Sequence, residues 1–67
     1  MSKLKLTLKA ARVNAELTQA EAGKAIGVSS DVISNWERGV TFPKVDLIPR
    51  IEKAYHVCYD DLIFLPN

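Results

Sequence analysis

Residues 17–39 read LTQAEAGKAIGVSSDVISNWERG and contain two short helical patterns separated by a turn. The first pattern starts at Thr18, which together with Glu21 has the spacing of a capping box. It ends at Gly27, since glycine adopts the left-handed conformation that closes a helix without a steric penalty. Ser29 is the expected N-cap of the second pattern, which ends at the last glycine of the stretch. We therefore predict two helices joined by a tight turn.

Apolar residues with helical spacing continue on both sides of this stretch. In the C-terminal part, Asp46 as N-cap would place Pro49 in the first turn, whose amides lack helical partners, and His56 would close the helix. Asp60 and Asp61 favour the first turn of one more short helix. The chain is thus expected to be all-α, a single domain over residues 1–67. The predicted helices are 7–15, 18–26, 29–38, 46–55 and 59–64.

Length and composition restrict the class of protein. The chain has 67 residues, of which 48% are hydrophobic and 25% charged, as in a small folded domain. It lacks an apolar run of about 18 residues, so we expect no membrane span, and its first residues lack the apolar core of a signal peptide. The single cysteine excludes an intramolecular disulfide and fits a reducing cytosol. We therefore expect a cytoplasmic protein.

Neither catalysis nor a cofactor is indicated. One cysteine and one histidine do not suffice for a zinc site, and there is no glycine-rich phosphate loop or nucleophile–histidine arrangement. The net charge of +1 predicts no partner by itself. Residues 1–44 carry seven basic and four acidic side chains, whereas residues 45–67 carry two and four, so an anionic partner would face the first part. We expect no enzyme, no metal and no cofactor.

The second helix of the central stretch has two distinct faces. At about 100° per residue, polar side chains occupy one arc and apolar side chains the other. The polar arc holds Ser30, Asp31, Ser34, Asn35 and Arg38, and the apolar arc holds Val32, Ile33 and Trp36. Asparagine can pair with adenine, serine can donate or accept, and aspartate can accept from the cytosine amino group. Because any surface helix has a polar face, this pattern alone leaves both DNA readout and a solvated face open.

The combined motifs resemble the lambda-repressor/Cro-like helix-turn-helix family, also called the XRE family. The resemblance rests on the Thr18-Gln19 pair, on the Gly-Val-Ser turn over 27–29, and on the Ile-Ser-x-Trp-Glu-x-Gly ending over 33–39. It extends from Leu8 to about Ile63. It implies a compact five-helix DNA-binding domain with the helix-turn-helix at helices two and three, and with helix three in the major groove.

The resemblance also implies roles for individual residues. The base-reading positions would be Ser30, Asp31, Ser34 and Asn35. The DNA backbone would be contacted by Thr18, Gln19, Ser29, Arg38, Thr41 and Lys44. Gln19 would in addition brace helix three, and Arg12 and Glu37 would form a buried or half-buried salt bridge. Asp31 stays open, since a carboxylate could read cytosine, exclude wrong sites or simply stabilise the helix N-terminus.

The function that the resemblance implies is a sequence-specific transcriptional regulator. A repressor of phage or mobile-element type, reading a pseudo-palindromic operator as a homodimer, fits the size, and no small-molecule effector is expected. The dimer contact is assigned to Tyr59, Leu62, Phe64 and Leu65. The alternative is a protein-interaction module, such as an anti-repressor or a toxin's partner, which has the same fold and does not read DNA.

Four residues depart from the family pattern. Glu16 stands where glycine or asparagine often ends helix one, which predicts a left-handed backbone there. Gly23 replaces a usual alanine and would allow close helix crossing. His56 is expected to be a helix-ending surface residue rather than a pH sensor, and Cys58 a partly buried, inert thiol rather than a redox sensor.

Overall fold

Four α-helices and two short strands make up residues 5–64, the part of the chain that the computed structural model describes. In chain order they are β1 (Leu6–Thr7), α1 (Leu8–Asn14), α2 (Gln19–Ile26), α3 (Ser30–Glu37), α4 (Ile48–Tyr55) and β2 (Leu62–Ile63). Two 3-10 turns, Val45–Leu47 and Tyr59–Asp61, precede α4 and β2. Within residues 5–64, no helix has the length and apolarity needed to cross a membrane.

The helix boundaries follow the predicted caps. The Glu21 amide donates to Thr18 Oγ1 at 3.0 Å, and the Thr18 amide donates to Glu21 Oε1 at 2.8 Å, which completes the capping box. These hydrogen bonds lower the pKa of the Glu21 carboxyl. Gly27 closes α2 at φ 100°, and the Ser29 hydroxyl caps α3 by accepting from the Val32 amide at 3.2 Å. The predicted caps of α2 and α3, and the predicted end of α2 at Gly27, are therefore confirmed.

The helices enclose one apolar core, with Ile26, Ile33 and Ile51 fully buried at its centre. Gly23 brings the α2–α3 turn against this core. A Cβ at Gly23 would lie 2.5 Å from the Val28 carbonyl oxygen, closer than any side chain tolerates. The close approach expected at Gly23 is thus observed, but it is made by the backbone of the turn. The absence of a side chain at Gly23 therefore lets the backbone just before α3 pack directly against α2.

The predicted fifth helix over 59–64 is wrong. Tyr59–Asp61 forms a single 3-10 turn, and the chain then extends as β2. β2 pairs in parallel with β1, with Leu6 opposite Leu62 and Thr7 opposite Ile63. Strand pairing satisfies the backbone groups that a helix would have satisfied internally. The fold is mostly helical rather than all-α.

The start of helix four also differs from the prediction. Asp46 lies within the 3-10 turn, and α4 begins at Ile48 without a side-chain cap. Pro49 lies in the first turn, where its missing amide costs no helical hydrogen bond. His56 closes the helix, as expected, and it does so in the left-handed conformation at φ 57°.

Two further departures from the family pattern have mixed outcomes. Glu16 has a positive φ of 61°, which confirms the predicted left-handed residue after helix one. Cys58, in contrast, is exposed, so the expectation of a partly buried thiol is wrong. It lies at the start of the 3-10 turn, outside the apolar repeat of α4, where nothing covers its side chain.

Candidate nucleic-acid interface

Helix α3 is held by its apolar face and exposes the opposite one. Ile33 and Trp36 are buried in the core, and Val32 packs against it. Ser30 and Asp31 are exposed in the first turn of α3, while Ser34 and Asn35 are half-buried one turn later. The two arcs predicted from the helical wheel are confirmed. Four polar side chains capable of hydrogen bonding therefore line a single surface.

A buried ion pair fixes the end of α3 to α1. Arg12 Nε donates to Glu37 Oε2 at 2.6 Å, and Arg12 Nη2 donates to Glu37 Oε1 at 3.2 Å. Both residues are only 8% exposed. Arg12 Nη1 also donates to the Leu17 carbonyl at 2.8 Å. The hydrogen bond to Glu37 raises the pKa of Arg12. The expected salt bridge is thus present, in the fork-to-fork geometry that arginine and carboxylate favour.

Gln19 joins this ion pair from α2. Its Nε2 donates to Glu37 Oε1 at 3.1 Å, so Glu37 receives hydrogen bonds from α1 and from α2 at once. Gln19 is the first residue of α2 and is half-buried. The bracing role expected of Gln19 is therefore observed, whereas its phosphate contact stays a prediction.

Tyr55, predicted only as an apolar position of helix four, lies close enough to Glu37 for the charge of Glu37 to act on its hydroxyl. Its side chain is buried on α4, and burial together with the nearby negative charge of Glu37 raises its pKa to about 12. The sequence carries no local signal for this proximity, since α3 and α4 are brought together only by tertiary packing. The carboxylate of Glu37 on α3 therefore interacts with side chains from α1, α2 and α4.

The chain that leaves α3 turns back onto Asn35. The Val40 and Thr41 amides lie 2.9 and 3.4 Å from the Asn35 carbonyl oxygen. The side chain of Asn35 also accepts a hydrogen bond, since Arg38 Nη2 donates to Asn35 Oδ1 at 2.6 Å. This pair was not predicted from the sequence, although its i, i+3 spacing on a helix could have indicated it. Thr41 and Lys44 are exposed on the same segment.

The chain is similar to a known protein family over most of its length. A family model described as helix-turn-helix matches residues 8–62. The chain belongs to this helix-turn-helix family. The match covers all four α-helices, and it confirms the identification of a lambda-repressor/Cro-like helix-turn-helix protein. The family is one of DNA-binding transcriptional regulators and is not typically enzymatic. No curated protein sequence matches the chain significantly.

Outside its DNA-binding motif, this helix-turn-helix domain carries an exposed apolar groove. The groove is lined by Phe42, Pro43, Val45, Ile48, Pro49, Tyr59 and Phe64. Phe64 contacts Tyr59 at 5.7 Å and Phe42 at 6.5 Å between ring centroids. Large exposed apolar patches occur at protein–protein interfaces, at membrane contacts and at ligand-binding grooves.

The structure corrects the predicted dimer contact at one residue. Leu62 is only 7% exposed, because pairing of β2 with β1 turns it into the core, so it is not available to a second molecule. Tyr59 is 50% exposed and Phe64 half-buried, both at the groove. Leu65, the remaining predicted contact, lies outside the described residues.

Proposed function

We propose that the chain is a sequence-specific transcriptional regulator, of the kind found as repressors in phages and mobile elements, that reads DNA with α3 in the major groove. The observation that carries this proposal is the contrast between the two sides of α3. One side is fixed by a buried ion pair and by the core, and the other presents short polar side chains to solvent. Short side chains let a helix approach base edges closely, and a fixed helix keeps them in register.

Base readout is assigned to the first two turns of α3, by Ser30, Asp31, Ser34 and Asn35. The serine hydroxyls can donate or accept, and the asparagine amide can do both. For Asp31, a contact with a cytosine amino group, exclusion of wrong sites and a purely helix-stabilising role all remain compatible with its exposed position in the first turn.

Contacts to the DNA backbone are assigned to residues on both flanks of α3. They are Thr18, Gln19, Ser29, Arg38, Thr41 and Lys44. The Gln19 amide has two N–H groups, of which one donates to Glu37 and the other can donate to a phosphate oxygen. Such contacts position the protein and add affinity that falls with salt, but they carry little sequence information.

A second copy of the chain is the proposed occupant of the apolar groove. Two half-sites lie roughly 34 Å apart along the duplex. The domain measures 36 × 24 × 21 Å, so copies on neighbouring half-sites would touch when the 36 Å axis lies along the duplex. The groove begins at Phe42, directly after Thr41 of the proposed DNA-contacting segment, and this adjacency supports a dimer contact close to the DNA. Tyr59, Phe64 and Leu65 would contribute to this contact.

The test is a selection of random duplex DNA by the protein at roughly physiological salt. We expect an enriched inverted repeat, whose half-site spacing reports the dimer, and binding that weakens steeply with salt, as about four to six phosphate contacts require. Binding no stronger than to bulk duplex would contradict the proposal.

That negative outcome would favour the alternative, a helix-turn-helix module that docks another protein. The apolar groove and the net charge of only +1 are the features that favour it. An apolar protein contact would change little with salt, which separates the two functions in the same set of measurements.

A further inference from the structure

The side chains of Asn35 and Arg38 form a hydrogen-bonded pair on the exposed face of α3, at 2.6 Å between Arg38 Nη2 and Asn35 Oδ1. We propose that Arg38 is a positioning residue that determines which base Asn35 reads, and that this base is guanine. The inference rests on the proposed DNA readout by α3 and adds a specificity to it.

The position of Asn35 is well defined by its surroundings. Its carbonyl oxygen accepts from the Val40 amide at 2.9 Å, which ties the segment after α3 to this turn of the helix. Its side chain is half-buried, and one of the two atoms able to bind a base, Oδ1, already accepts from a guanidinium. A hydrogen bond from a charged donor is stronger than one between neutral groups. Arg38 therefore holds the amide plane in one orientation.

The orientation matters because asparagine has two modes of readout. Bidentate pairing with adenine uses Oδ1 to accept from N6 and Nδ2 to donate to N7. Arg38 occupies one lone pair of Oδ1 and turns this oxygen towards itself, so the amide presents chiefly its Nδ2 donors to the groove. The two N–H groups of Nδ2 match N7 and O6 of guanine, which are two adjacent acceptors.

The opposite preference is expected once Arg38 is removed. Without the guanidinium, the Asn35 amide can turn about its last side-chain bond and present Oδ1, so adenine becomes an equal or better partner. Arg38 can at the same time contact a phosphate through its other nitrogens, as proposed above. Loss of affinity in an Arg38 variant is therefore not diagnostic, whereas a change of base preference is.

The experiment is the same selection from random duplex DNA, performed with four proteins: the original chain, Asn35→Ala, Arg38→Met and Lys44→Met. Circular dichroism first establishes that all four are folded. Asn35→Ala identifies the half-site position that Asn35 reads, since preference is lost there. At that position we expect the original chain to favour guanine over adenine by about tenfold. Arg38→Met should reduce this ratio to about one or reverse it.

Lys44→Met is the matched control, because it also removes one positive charge from the segment that follows α3. It should weaken binding to all sequences and leave the guanine preference intact. Adenine preferred by the original chain at the Asn35 position, or an Arg38→Met motif identical to the original, would overturn the inference and leave the proposed regulator function standing. The same holds if Asn35→Ala loses preference at no position. No motif from the original chain would overturn both.

Discussion

Two arginine contacts at the end of α3 have the same shortest distance and opposite surroundings. Arg12 donates to Glu37 at 2.6 Å in the core, and Arg38 donates to Asn35 at 2.6 Å on the surface. Arg12 is 8% exposed, while Arg38 faces solvent. At the buried pair, loss of one partner leaves a charge without water. At the exposed pair, water replaces a lost partner. Burial, rather than distance, therefore separates a contact that holds the fold from one that only orients a surface side chain.

The largest effect is expected from breaking the buried pair. Glu37→Ala leaves Arg12 buried without its carboxylate and removes the acceptor of Gln19, so we expect the free energy of unfolding to fall by about 3–5 kcal/mol. Urea denaturation followed by circular dichroism measures this. The double variant Arg12→Ala/Glu37→Ala should lose less than the sum of the single variants, because no charge is left unpaired. A loss below about 1 kcal/mol in Glu37→Ala would contradict the burial of the pair.

A pH titration sharpens the electrostatic side of the comparison. The pKa of Tyr55 is raised from 10 to about 12, by burial and by the charge of Glu37. A raised pKa means that the folded state keeps a proton that the unfolded state loses, so stability falls as the pH rises from about 10 to 12. We expect the unfolding free energy of Tyr55→Phe to fall less steeply with pH in this range. The difference in slope should correspond to at most one proton per molecule. Equal slopes of unfolding free energy against pH in the two proteins would argue against a shifted tyrosine.

An effect of intermediate size is expected at the capping box of α2, where two exposed side-chain oxygens accept hydrogen bonds from backbone amides. Thr18→Ala should lower the free energy of unfolding by about 1 kcal/mol, since it leaves an amide of the first turn without its acceptor. Thr41→Ala is the control, because Thr41 is equally exposed and caps no helix; we expect it to change stability by less than about 0.5 kcal/mol. Chemical denaturation of both variants in parallel decides the point. Equal losses would mean that the threonine cap is not what stabilises α2.

The smallest effect on stability is expected at the exposed pair. Arg38→Met and Asn35→Ala should each change the free energy of unfolding by less than about 0.5 kcal/mol, because water replaces the lost partner. The same variants should alter DNA binding clearly. A loss of stability above about 1 kcal/mol, measured by the same denaturation, would place Arg38 among the residues that hold the fold and would remove the contrast with Arg12.

The sequence was most informative where structure depends on neighbouring residues. The caps at Thr18 and Ser29, the left-handed Gly27 and the helix end at His56 were predicted at their observed positions, because each depends on the chemistry of one turn. The predicted fifth helix failed because β2 is formed by pairing with residues far away in the sequence. Two aspartates at the start of a turn favour a helix locally, and nothing local reveals that a distant strand competes for the same backbone groups.

The candidate site shows the same division. The polar and apolar arcs of α3 followed from helical periodicity, whereas the Arg12–Glu37 pair was expected only from the family resemblance. The convergence of Gln19 and Arg12 on one carboxylate depends on how three helices pack. Likewise, the burial of Leu62 follows from the strand pair, so its assignment to a dimer contact could not be checked before the fold was known.

The parallel pair of β1 and β2 has a consequence for the order of folding. Its residues come from opposite ends of the described chain, and the neighbouring hydrogen bond from Lys5 to the Asp60 carbonyl spans 55 residues. Closing so long a loop costs more chain entropy than forming the α2–α3 turn. Only the few hydrogen bonds of a two-residue strand pair offset this cost. We therefore expect the helices to assemble first, and the β1–β2 pair to form last during folding and to open first during unfolding. Hydrogen exchange should accordingly be faster at the strand amides than at the amides in the middle of α2 and α3.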